Sequence, residues 1–146
     1  MDSNQLLVRA YRLINLYNST QKKPHMYSCG LVMYPAQSHM IEIIGDCEGV
    51  TQTEIATEYM ITKGAVSQII SFLEQNGLII KKPSQKGGRS TELYLSDKGK
   101  SVFSEHRELH RVMTRRVAEL ADRIPPESIE ILSQISDVIE ENIRKM

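Results

Sequence analysis

His106-Arg107-Glu108-Leu109-His110 sets two imidazoles at positions i and i+4, a spacing at which helical side chains can share a divalent metal. The zinc-protease arrangement requires Glu directly after the first His, and Arg107 stands there instead. No third ligand lies within sequence reach, so the expectation is two solvated helix histidines and no metal centre. Cys29 and Cys47 are the two thiols of the chain, and their spacing is not that of a metal site. Only His25, four residues before Cys29, could activate either one, which leaves oxidant sensing open as an alternative. Ser, His and Asp all occur, but no nucleophile elbow brings them together. Gly87-Gly88 lies between strand-like runs and opens no helix, so it is not a phosphate loop. Neither an enzyme nor a bound cofactor is expected.

A different chemistry is written in Thr62 to Gly77. Val66, Ile69, Ile70 and Leu73 recur at helical spacing and form one apolar stripe. Thr62 can cap the first turn with its hydroxyl, and Gly77 can take the left-handed conformation that ends the helix. The opposite face carries Lys63, Ser67, Gln68 and Ser71, with no carboxylate before Glu74. A helix face of hydrogen-bond donors without acids suits base edges and phosphates.

The neighbouring segments are arranged to position that face. Thr51-Gln52-Thr53-Glu54 is a capping box, and it starts a shorter helix with Ile55, Ala56, Tyr59 and Met60 as its expected inner side. Ile61 and a residue or so on either side separate the two helices, which is helix-turn-helix spacing. Downstream, Leu78-Ile79-Ile80 and the alternating run Thr91 to Leu95 read as two strands. Lys81 to Ser90 joins them with Lys81, Lys82, Lys86 and Arg89 and no anion. Most charge runs are simply solvated turns; this one follows a capped helix pair, in the position of a wing.

With these residues in order, from Thr51-Gln-Thr-Glu-Ile-Ala through the wing to Leu95-Ser96-Asp97-Lys98-Gly99 and a long final region, the chain resembles the MarR family of winged helix-turn-helix regulators. The resemblance runs from about Leu6 to Lys145. It implies a mainly α fold with a small β-hairpin wing, in which 36–96 bind DNA and 1–20 and 97–146 form dimerisation helices. It also implies a pseudo-palindromic duplex as partner, with Thr62, Lys63, Ser67, Gln68 and Ser71 at the major groove. Arg89, with Lys86, would serve the flanking minor groove or phosphates, and Thr51 and Gln52 the backbone. Family wings carry an Asp and an Arg where this chain has Gly87 and Gly88, which implies a more flexible wing. A small-molecule effector that alters the spacing of the two recognition helices is likewise what the resemblance implies.

Composition is compatible with that reading. The 146 residues include 18 basic and 18 acidic side chains, so charge acts through its placement. Pro125 to Met146 has five acidic and two basic residues, while the wing is purely basic. Trp is absent and aromatics are few, which disfavours RNA recognition by base stacking. No signal peptide or membrane-length apolar run is found, and two scattered Cys fit a reducing, cytoplasmic setting.

Three further segments have excess apolar surface. Gln5 to Ser19 has a helical stripe of Leu6, Leu7, Ala10, Leu13, Ile14 and Tyr17. A long helix from Asp97 to about Asp122, capped by Ser96, carries Val102, Phe103, Leu109, Val112, Met113, Val117 and Leu120. After Pro125-Pro126, a last helix from Glu127 to Arg144 carries Ile131, Leu132, Ile135, Val138, Ile139 and Ile143. Such stripes call for a two-fold homodimer. Between the first helix and the one expected at Ala36 to Gly45 lies an irregular, apolar-rich connection, Gln21 to Pro35, which must pack against the core or line a small pocket. Alternatives from other classes are a redox- or metal-responsive DNA-binding sensor and a winged-helix module that docks proteins.

Overall fold

The computed structural model describes residues 3–84 and 90–145. Lys86 and Arg89, with Gly87 and Gly88, lie outside the described residues. Among the described residues, six helices and five short strands follow in the order α1 (Ser3–Thr20), β1 (His25–Met26), β2 (Val32–Met33), α2 (Pro35–Asp46), β3 (Val50–Thr51), α3 (Gln52–Glu58), α4 (Lys63–Gln75), β4 (Ile79–Pro83), β5 (Thr91–Leu95), α5 (Asp97–Ala121) and α6 (Pro126–Arg144). The chain forms two compact units, Met1–Arg107 and Glu108–Met146, and α5 contributes to both.

The core of the first unit is built from the stripes on α2 and α4. Met40, Ile41 and Ile44 of α2 meet Val66, Ile70 and Leu73 of α4, with Ile55, Leu78, Leu93, Leu95 and Val102 completing one cluster. Burying a side chain of this size stabilises by about 1.5–3 kcal/mol, so these facing stripes fix α4 against α2. The β-sheet runs in the order β3-β5-β4, all antiparallel, with Ile79 opposite Leu95 and Lys82 opposite Glu92. The sequence pattern gave no sign of β3, because two residues cannot display an alternation. The connection after α1 holds a two-stranded hairpin, β1 with β2, that sinks Tyr27 and Met33 into the core.

The junction of α4, β4 and α5 explains the Leu95-Ser96-Asp97-Lys98-Gly99 motif. Gly77 adopts φ +68° and turns the chain out of α4. The Ser96 hydroxyl donates to the Gly77 carbonyl (2.6 Å) and accepts from the Gly99 amide (3.0 Å), while Lys98 Nζ donates to the Asn76 carbonyl. A Cβ on Gly99 would come within 2.0 Å of the Leu78 carbonyl oxygen, so only glycine lets α5 approach this closely. The start of α5 is therefore tied directly to the end of α4.

One expected face is corrected. Helix α3 stops at Glu58, with Tyr59 as its cap and Met60 left-handed at φ 52°, and both side chains are exposed (Met60 60%). The reversal needed to reach α4 ends the helical periodicity two residues before the sequence pattern does. Only Ile55 and Ala56 form its buried side.

The second unit consists of the remaining turns of α5, a turn at 122–125 and α6. The Asp122, Arg123 and Ile124 amides close the end of α5, and Ser128 and Ile129 bond back to the Pro125 carbonyl to begin α6. Leu109, Val112, Met113, Val117, Leu120, Ile131, Leu132 and Val138 are exposed in the single chain. In the first unit, α1 likewise exposes Leu7, Leu13, Ile14 and Tyr17. Among the described residues, no helix is long and apolar enough to cross a membrane.

Candidate nucleic-acid interface and histidine cluster

The expected donor face is present on α4. The Thr62 hydroxyl accepts from the Ala65 amide at 3.2 Å and fixes the first turn. Lys63, Ser67, Gln68 and Ser71 are all exposed, on the side opposite buried Val66, Ile70 and Leu73. Glu74 ends this face, and its carboxylate is paired with Lys81 Nζ at the base of the wing. That ion pair removes the one acidic charge from the outer surface of α4 and joins the helix to β4. Lys82 lies over the Tyr94 ring at 4.5 Å, a cation–π contact that holds its stem along β5. Two of the four wing cations are thus committed within the fold; the other two are Lys86 and Arg89, outside the described residues.

Thr51 is the N-cap of α3. It is buried, its hydroxyl accepts from the Glu54 amide (3.2 Å) and bonds the Glu54 carboxylate (2.9 Å), and its own amide donates to that carboxylate at 2.7 Å. Its side-chain hydroxyl serves the capping box that starts α3. Gln52, next in the chain, is half-buried at the start of α3.

Glu92 anchors the stem of the wing. Although buried, its carboxylate accepts from the Ser84 hydroxyl (2.9 Å) and the Tyr94 hydroxyl (2.8 Å). The bond to Glu92 is the main cause holding the Tyr94 phenol above its ordinary pKa, because it favours the protonated form.

The histidines of α5 depart from the solvated pair expected. His106 is only 5% exposed, and its ring lies 5.7 Å from that of His39 on α2. His110 follows one turn later on the same helix. Three imidazoles thereby form a group able to hold a metal ion. His39 is far away in sequence and belongs to no local motif, so spacing alone could not reveal it. His106 Nδ1 lies 2.8 Å from the Tyr27 hydroxyl, which donates to Ser38 Oγ at 2.8 Å. Burial raises the Tyr27 phenol, a shift partly offset by its bond to Ser38, so it stays a hydroxyl at neutral pH. Nearby, Glu105 accepts from the Ser28 hydroxyl (2.7 Å) and amide (3.1 Å), which hold its carboxyl below the usual range and tie the β1–β2 hairpin to α5. Cys29 and Cys47 are both exposed free thiols.

A capped helix-turn-helix followed by a stem of two antiparallel strands defines a winged helix-turn-helix, a fold of DNA-binding regulators and not of enzymes. Residues 33–90 match the model of the MarR family. A curated relative, the uncharacterized HTH-type transcriptional regulator YkoM of Bacillus subtilis (strain 168), is 21% identical over 116 residues, covering 80% of this chain and 71% of the relative. The fold is shared with Streptococcus pneumoniae FabT in its complex with DNA (TM-score 0.62, 21% identity, 97% and 95% of the two chains). It is also shared with the zinc-responsive family member ZitR of Lactococcus lactis (TM-score 0.67, 22% identity, 96% and 97%).

Proposed function

We propose that the chain acts as a homodimeric transcriptional repressor that reads a pseudo-palindromic duplex with one α4 in each half-site. The observation that carries this reading is the outer face of α4. It displays Lys63, Ser67, Gln68 and Ser71, and its one terminal acid, Glu74, is neutralised by Lys81. Gln68 can pair with an adenine edge, while Lys63 and Thr62 meet phosphates as the helix enters the groove. Lys86 and Arg89 of the wing serve the adjacent minor groove or backbone. The apolar stripes of α1, α5 and α6 support dimerisation, since apolar side chains left exposed along each of these helices call for a partner surface. Two-fold symmetry then spaces the recognition helices about 34–36 Å apart, one turn of DNA. Occupying the operator excludes polymerase. Duplexes recovered by the purified protein from a random pool should share an inverted repeat. Absence of any enriched duplex at low salt would move the protein to the docking-module class.

A second reading concerns the effector, and the histidine cluster favours it over an organic molecule. His39, His106 and His110 supply imidazole nitrogen donors of the kind that suit a zinc-class ion. The donor set fits such an ion because Tyr27 engages Nδ1 of His106, the kind of outer contact that orients metal-binding histidines. A bound ion would supply a cross-link between α2 and α5. Since α2 packs on α4 through the common core and α5 begins at the end of α4, that link can bias the position of the recognition helix. The likeness to zinc-responsive ZitR supports the same direction. Operator affinity should change by about 5–150-fold between zinc-loaded and chelated protein; equal affinities would remove the ion from regulation.

A further inference from the structure

The stem of the wing buries a carboxylate three residues after Arg89, one of the cations assigned above to DNA. Glu92 is only 8% exposed on the central strand of its sheet, in register with Lys82 on β4 and with Thr51, the cap of α3, on β3. Each of its oxygens takes a hydroxyl proton from a different strand of the stem. Ser84 Oγ donates to Oε1 at 2.9 Å, and the Tyr94 hydroxyl donates to Oε2 at 2.8 Å. Ser84 lies just past the end of β4, and its amide donates to the Ser90 carbonyl at 3.0 Å, the last described rung of the stem. Strand β5 is in turn fixed to β3, where the Gly49 amide donates to the Leu93 carbonyl at 2.9 Å.

We propose that Glu92 is the positioning residue of the wing: by accepting from Ser84 and Tyr94 together, its carboxylate locks the end of β4 to β5. That lock fixes, relative to the start of α3, the direction in which the wing leaves the sheet. The inference rests on the DNA-binding reading above and adds to it a residue that works through the stem without touching DNA. A carboxylate suits the task because it is an acceptor only, so both hydroxyls can point at it at once. Glutamine has the same shape but one oxygen and one amide, and one of the two hydroxyls would have to turn and accept. The charge itself works against the proposed function, since a negative group beside the wing repels phosphates. Positioning and charge therefore predict opposite signs when the charge is removed. Loss of positioning weakens binding to DNA, whereas loss of repulsion strengthens it.

The test uses the full-length protein and a labelled duplex of mixed sequence, because phosphate contacts do not depend on the operator. Glu92→Gln should weaken binding about tenfold, the scale of one charge-assisted hydrogen bond. It should also flatten the salt dependence towards that of the Lys86→Ala, Arg89→Ala variant. Ser84→Ala, which alters no charge, should weaken binding by a smaller factor. In the Lys86→Ala, Arg89→Ala background Glu92→Gln should have no further effect, because the wing that it positions has already lost its cations. Amide exchange reads the lock without DNA: the Ser84 amide should exchange faster in Glu92→Gln and Ser84→Ala, while α4 stays as protected as in wild type. Equal or tighter binding by Glu92→Gln would make Glu92 only a charge near the wing and overturn the proposal. An equal weakening in the background without wing cations would make it a general fold residue and overturn the proposal as well. Wild type that binds no duplex at low salt would instead sink the DNA-binding reading, and faster Ser84 exchange in Glu92→Gln would then leave the lock itself standing.

Discussion

Helices α4 and α6 carry equally regular apolar stripes, yet α4 buries Val66, Ile70 and Leu73 within its own chain while α6 leaves Leu132 at 50% and Val138 at 59% exposure. The difference lies in what the chain supplies opposite each stripe. Helix α4 faces α2, the sheet and the first turns of α5, all within the first unit. Within the second unit there is only α5 to share the apolar surface of α6, and both keep apolar side chains in water. A stripe without an internal partner is a request for an external one, and a second copy of the chain is the partner that symmetry makes simplest. The comparison predicts that mutations in the two stripes fail in different ways.

The largest effect belongs to the internal stripe. Ile70→Ala removes a fully buried side chain and should cost about 2–5 kcal/mol of unfolding free energy. Gly99→Ala should be comparably damaging by another route, since its new methyl group meets the Leu78 carbonyl. Chemical denaturation followed by circular dichroism measures both; a loss below about 1 kcal/mol in each would break the account of the core. A charge on the external stripe should spare folding and destroy assembly. For Leu132→Glu with Val138→Glu, sedimentation at micromolar concentration should show 16.6 kDa monomers with wild-type helix content, against dimers for wild type. A wild-type monomer would refute the role given to these helices.

Smaller effects sharpen the DNA-facing side. If a dimer neutralises about six phosphates, log affinity should fall with log salt at a slope of about −5. Lys86→Ala with Arg89→Ala removes four cations per dimer and should flatten the slope towards about −2 while weakening every duplex alike. An unchanged slope would take the wing out of the interface. Lys82→Ala, which loses a cation already held over Tyr94, should weaken operator and unrelated duplex by a similar, smaller factor.

The parts legible in the sequence were those fixed by local chemistry. Thr62 and Gly77 bracket α4 because capping hydroxyls and left-handed glycines act over a few residues. The capping box at Thr51 is equally readable, and both of its reciprocal bonds are formed. What could not be read depended on distant contacts. Strand β3 exists because Val50 and Thr51 pair with Leu93 and Glu92, not because two residues have a pattern. His106 looked like one of two surface histidines until the fold placed Tyr27 and His39 against it. Lys81 looked like a wing cation, and its pairing with Glu74 becomes visible only once β4 follows α4 through the turn at Gly77.

The central claim is that the outer face of α4 reads base pairs, and Gln68 tests it most directly because its side chain is exposed and long enough to reach a base edge. Wild type and Gln68→Ala should be titrated against the selected operator and a scrambled duplex at one fixed salt concentration. The account predicts a loss of about 1–3 kcal/mol on the operator, little change on the scrambled duplex, and relaxed preference at one position per half-site. Equal losses on both duplexes would place Gln68 on the phosphate backbone and contradict the assignment of α4 as the reading helix.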